Sequence, residues 1–315
     1  MFVLLILFVA AAVFIGICYF TYRIVFYSSS KNRVDILDSP AGEEYLKRRP
    51  ELAALVAQIS FVPFEEVYIK ANDGTLLFAK YYHIKDEAPL HIQCHGYRGS
   101  GIRDFCGGNK MAREMGHNTL LIDQRGHGKS KGEQITFGIK ERYDIISWCN
   151  YAVERFGKNV QIILSGISMG ASTVLLASEL KLPKNVKGII ADCPYSSAEG
   201  IIRKVCKDMK LPHRLVFPFI KIGARLFGGF DICEVTAENA VENATIPILL
   251  IHGKGDKFVP CNMSDSIFEK CPKGTVYETF EGAGHGMSYI TDRNRYTKIC
   301  AHFINGCLKQ NQEEV

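Results

Sequence analysis

From Leu90 onward the chain alternates short apolar runs with helix-patterned segments, and that repeated order admits few architectures. The strand candidates span 90–94, 118–122, 160–164, 186–191, 247–251 and 275–280, and 139–156 and 172–180 read as helices. Strands separated by helices imply βαβ units. Runs without polar alternation imply a parallel sheet covered on both faces. Ahead of them, Val67, Ile69, Leu76 and Phe78 flank Asn72-Asp73-Gly74, a hairpin signature. The interval from 195 to about 240 is too long for one crossover, so an insertion is expected there. The expected class is α/β.

The ends of those strands carry the reactive residues. The 160–164 strand runs into Gly166-Ile167-Ser168-Met169-Gly170, and a helix follows from near Ala171. A sharp strand-to-helix turn of this kind exposes a serine hydroxyl beside a helix N-terminus, where backbone N–H groups favour developing negative charge. A serine nucleophile needs a base, and the base needs an orienting acid. Asp256 follows the 247–251 strand in His252-Gly253-Lys254-Gly255-Asp256. His285 follows the 275–280 strand in Gly284-His285-Gly286. Asp192, closing the 186–191 strand, is the rival acid, and the fuller pattern around Asp256 favours Asp256. Oxyanion donors are expected from the backbone N–H groups of Met169, next after the serine, and Tyr97, in the loop His95-Gly96-Tyr97-Arg98-Gly99. His95 and the segment from Asp123 to Ser130 read as loop architecture.

These motifs together, His95-Gly96, Asp123-x-Arg125-Gly126-x-Gly128-x-Ser130, Gly166-x-Ser168-x-Gly170, His252-Gly253-x-x-Asp256-x-x-Val259-Pro260 and Gly284-His285, resemble the α/β-hydrolase superfamily from about residue 64 to the C-terminus. The similarity is to its bacterial membrane-anchored esterase, lipase or serine-aminopeptidase-like branch. That resemblance implies an eight-stranded, mostly parallel sheet with one antiparallel strand, helices on both faces and a helical cap inserted after strand six. It also implies a Ser168-Asp256-His285 triad that works through an acyl-enzyme, with no metal and no cofactor.

The N-terminus lies outside that resemblance. No charged residue occurs from Phe2 to Tyr22. Such a helix reaches roughly 32 Å, enough for a bilayer core of about 30 Å. It lacks the basic start and small-residue exit of a cleaved signal, so residues 1–27 are expected to be an uncleaved transmembrane anchor. Arg23, Lys31 and Arg33 follow the span, which points to a single-pass protein of the cell membrane with its catalytic domain in the cytoplasm. Residues 28–63 read as a juxtamembrane linker, polar from Ser28 to Arg33, then a helix starting near Pro40 and covering 43–58. Residues 64–315 read as the hydrolase domain. Eleven cysteines without any C-x-x-C pair suggest free thiols rather than a zinc or redox site, and a net charge of +5 carries no nucleic-acid stripe.

The expected activity is hydrolysis of a carboxylic ester, an acyl glycerol or a small acyl ester. A peptide or thioester substrate uses the same triad, and a catalytically silent binding module is the reading from another class. The expected partners are a small acyl substrate, lipid included, and the membrane. Within 199–230 seven basic residues stand against Glu199 and Asp208, interleaved with Leu215, Phe217, Phe219 and Phe227. The cap is accordingly expected either to face an anionic bilayer or to cover the pocket as a solvated lid.

Overall fold

A computed structural model describes residues 1–29 and 43–309. Helices α1 (Phe2–Val25) and α2 (Glu43–Ser60) precede β1 (Glu65–Lys70), β2 (Leu76–Tyr82) and β3 (Leu90–Cys94). Then come α3 (Gly101–Glu114), β4 (Asn118–Asp123), α4 (Glu141–Phe156), β5 (Ile162–Ile167), α5 (Met169–Ala177) and β6 (Val186–Asp192). The insertion after β6 holds α6 (Ala198–Asp208), α7 (His213–Gly223), a π-helical turn (Ala224–Gly228) and α8 (Ala237–Val241). The chain closes with β7 (Ile248–Gly253), α9 (Asn262–Lys270), β8 (Val276–Phe280), α10 (Ser288–Thr291) and α11 (Arg293–Lys309).

The eight strands form one sheet in the order β1-β2-β4-β3-β5-β6-β7-β8. Only β2 runs against its neighbours, pairing antiparallel with β1 and β4, and every other pair is parallel. This is the α/β-hydrolase sheet. Successive strand residues point to opposite faces, and here both faces are apolar. Ile92, Leu120, Leu164, Ile189 and Leu250 pack with Trp148 of α4 and Val174 of α5. Leu121, Ile163, Ile190 and Leu249 pack on the other side with α2, α3 and α11.

Several boundaries differ from expectation. The fifth strand starts later and runs to Ile167, because Ser165 and Gly166 continue the ladder opposite Gln93 and Cys94 and opposite Ile190 and Ala191. Helix α5 opens at Met169, directly after the serine, and every residue in it is buried, so burial outweighs the weak helix preference of Ser172 and Thr173. The second helix continues past 58 to Ser60, while Pro40 and Ser30 to Arg33 lie outside the described residues.

Helix α1 is not detached from the domain. Its first two-thirds leave their apolar side chains exposed, whereas Cys18 is buried, and Tyr22 and Phe26 are buried in a cluster with Phe137, Phe217, Ile220 and Phe230. Phe14 packs on Phe219 and Tyr22 on Phe227, so α7 and the π turn run alongside α1 in the same direction. Gly223 permits this approach, since a Cβ there would strike the carbonyl of Cys18. Ser28, at the start of the expected juxtamembrane linker, donates its N–H to Glu133 O at 2.9 Å and its hydroxyl to Gly126 O at 2.6 Å.

The segment after β4 is architectural. Arg125, almost fully buried, makes two bonds to Asp144, at 2.7 and 2.6 Å, and a third to Asp73 at 2.8 Å. Arg125→Met would leave Asp144 buried without its partner, at a cost of about 3–5 kcal/mol. Melting in detergent should show a large drop for R125M and a partial recovery for R125M/D144L. An unchanged melt in the single variant would refute this role.

Candidate active site

The C-terminal ends of β3, β5, β7 and β8 lie along one edge of the sheet and bring their following loops together. Ser168 sits between β5 and α5 with φ +56°, a left-handed backbone that a non-glycine residue adopts only under constraint. The flanking glycines make the turn possible. A Cβ on Gly166 would strike the carbonyl of Gly170, and one on Gly170 would strike the carbonyl of Cys94. Ser168 N–H donates to Asp192 O at 2.9 Å, which ties the turn to the end of β6.

His285 Nε2 lies 2.8 Å from Ser168 Oγ, and its Nδ1 lies 2.7 Å from Asp256 Oδ2. A carboxylate only accepts, so Nδ1 carries the proton and Nε2 is left to accept from the serine hydroxyl. The other Asp256 oxygen, Oδ1, accepts the N–H groups of Phe258 at 2.9 Å and Val259 at 2.8 Å. Burial alone would raise the Asp256 carboxyl, but hydrogen bonds from His252 and His285 outweigh it and bring the pKa down to about 2. This group is therefore ionised across the physiological range. His252 supports the same loop, with Nε2 2.9 Å from Val259 O and Nδ1 2.6 Å from Ser264 Oγ.

The structure does not bring Asp192 into this line. It is buried at the cavity's wall, with Ser288 Oγ at 3.4 Å and Tyr296 as its hydroxyl neighbours. Burial raises its carboxyl to about 6, against the pull of His252 and Tyr296. Met169 opens α5, so its N–H is among those that a helix leaves without an internal acceptor. The loop holding Tyr97 packs against the nucleophile: a Cβ on Gly96 would sit 3.4 Å from Ser168 Cβ. Asp104 Oδ2 accepts Gly96 N–H at 2.9 Å and so shapes that loop. His95 is structural, its Nε2 accepting Gln124 N–H at 3.1 Å.

Donor atoms of Cys193, Asp256 and His285 lie within 4.8 Å of one another. Both ring nitrogens of His285 are already engaged, and burial pushes the Cys193 thiol well above its ordinary value. Hydrogen bonding, rather than metal binding, is the chemistry this set fits.

Two features were not visible as site residues in the sequence. Tyr45 of α2 donates its hydroxyl to the His285 carbonyl at 2.5 Å. A cavity of about 410 Å³ opens on Ser168 and His285, within the size range of small-molecule sites. None of the residues lining it comes from 195–240. Of the two expectations for the insertion, a lid over the pocket is not what forms: the insertion packs on α1 and α5, and α2 supplies part of the pocket's wall. The sequence marked a helix over 43–58 but gave no sign of what it faces.

A model of the family described as serine aminopeptidase, S33, matches residues 92–226. The chain is 26% identical over 300 residues to the uncharacterized protein YqkD of Bacillus subtilis, covering 94% of each. Among solved structures, an esterase of Pyrococcus furiosus superposes with a TM-score of 0.64 at 22% identity, covering 85% of this chain and 96% of the other. An esterase of Exiguobacterium antarcticum does so with a TM-score of 0.58 at 18% identity, covering 76% of this chain and 100% of the other.

Proposed function

We propose that this chain, a member of the α/β-hydrolase superfamily, is a membrane-anchored serine hydrolase that cleaves a carboxylic ester, an acyl glycerol or a small acyl ester. The observation that carries this reading is the continuous hydrogen-bonded line from Ser168 through His285 to Asp256. Ser168 Oγ attacks the acyl carbonyl carbon as His285 Nε2 takes its proton, and Asp256 stabilises the imidazolium. The N–H groups of Tyr97 and Met169 receive the oxyanion, a contribution of about 2.7–4 kcal/mol per donor in comparable sites. His285 then protonates the departing alcohol oxygen. Water, deprotonated by the same nitrogen, attacks the acyl-enzyme and releases the acid.

The serine-aminopeptidase description favours a second reading, in which the leaving group is an amine. A panel run on the full chain in detergent separates the two: p-nitrophenyl esters of graded length beside an aminoacyl p-nitroanilide. Ester turnover well above amide turnover is expected. Amide cleavage with inert esters would overturn the ester assignment.

The anchor belongs to the same proposal. Helix α1 has 24 residues, roughly 36 Å of helix, and its apolar flank is uncovered. Removal of a signal sequence would empty the places of Tyr22 and Phe26 in the domain's packing, which favours an anchor that stays. Arg23 at its end supports a cytoplasmic domain. The turn joining α6 and α7 exposes Met209, Leu211 and Leu215 beside Lys207, Lys210 and Arg214, as an element at an anionic lipid surface would.

A further inference from the structure

We infer that α2, the helix preceding the hydrolase sheet, is the wall that sets which acyl chain the site accepts. The inference rests on the ester reading above and adds the determinant of its specificity. The cavity at Ser168 has an apolar wall made by Leu52 and Leu55 of α2, Phe105 of α3, and Met287, Tyr289 and Ile290 beyond β8. These two leucines approach the nucleophile's pocket from one face of α2. On the same face, Leu55, Val56 and Ile59 are buried against the domain. The helix is held at both ends. Tyr45, in its first turn, bonds the backbone of the residue that acts as base, and near its far end Gln58 accepts from Lys110 of α3 at 3.3 Å. Midway, Arg293 bonds Glu51 at 3.1 Å.

Such a wall selects by volume. An apolar chain entering it exchanges water for Leu52, Leu55 and Phe105, and each methylene accommodated or excluded is worth about 10- to 200-fold in kcat/KM. Leu52 is only half-buried, so its side chain can be enlarged without forcing the core apart. The insertion after β6 is the element that would set specificity under the opposite view. Its Leu226 is 60% exposed and takes no part in lining the cavity.

The test is a series of p-nitrophenyl esters that keeps the leaving group constant and lengthens the acyl chain, with full chain in detergent. Leu52→Trp should lower the long-to-short ratio of kcat/KM at least 10-fold, and Leu52→Ala should raise it. Leu226→Ala should leave the ratio unchanged. Fluorophosphonate labelling of each protein reports separately whether Ser168 is competent. If wild type neither labels nor turns over ester, the ester reading itself fails. If all variants label and hydrolyse ester but the ratio stays constant in both Leu52 variants, or moves only with Leu226→Ala, α2 is not the selecting wall.

Discussion

Ser168→Ala abolishes ester turnover and fluorophosphonate labelling together, and leaves the melting temperature close to that of the wild type. The expected loss in kcat is of the order of 10⁶-fold, the scale found when a serine-hydrolase nucleophile is removed. The fold survives because alanine keeps the Cβ that the turn already accommodates and loses one oxygen. It also keeps the positive φ of that position. Ser168→Gly removes the steric cost of that conformation, of order 1–3 kcal/mol, and should melt higher than the alanine variant. Labelling that persists in Ser168→Ala would show that another side chain is the nucleophile.

Asp256→Asn should lower kcat by about 10⁴-fold. The two backbone donors at Oδ1 explain why the loss is so large. They require an oxygen at that position, so the new amide NH₂ must take the other one, facing Nδ1 of His285. A donor there forces Nδ1 to accept, the proton moves to Nε2, and the ring no longer accepts from Ser168 Oγ–H. Asp192→Asn should change kcat no more than a few-fold, because Asp192 bonds Ser288 and Tyr296 rather than the imidazole. It should alter pH behaviour instead. With its pKa raised to about 6 in the fold and near 3.9 unfolded, Asp192 binds more protons when folded, so its contribution to stability falls as pH rises between those values. The melting temperature of D192N should lack that fall. A collapse of kcat in D192N alongside a mild D256N would exchange the two roles.

Much of the architecture was legible because parallel strands buried on both faces leave unbroken apolar runs, as in Leu90–Cys94, which is a strand with the expected limits. The positions of Ser168, Asp256 and His285 at strand ends were legible because sharp turns demand glycine and leave a pattern. Boundaries were less so where a strand ends in small or polar residues, as β5 does at Ser165 and Gly166. Nothing local marks Tyr45 as a neighbour of His285, since 240 residues separate the two and only packing joins them. The charge of the insertion was legible, but its pairing was not. Arg203 bonds Glu199, Lys204 bonds Asp208, and Arg225 bonds Asp231, which leaves fewer cations for any anionic surface than the composition suggests.

The seat of α1 has a mechanical consequence. Tyr97 donates its hydroxyl to Val25 O at 2.8 Å, and Arg98 donates to Ile24 O at 2.8 Å, so the last turn of α1 is fastened to the loop beside Ser168. A domain on a slack tether sweeps a volume and reaches substrates at many distances. Here the bolt is short and stiff. If α1 sits in a bilayer as proposed, Ser168 would be held at a single altitude and a single tilt, and a substrate carbonyl would have to rise to that plane.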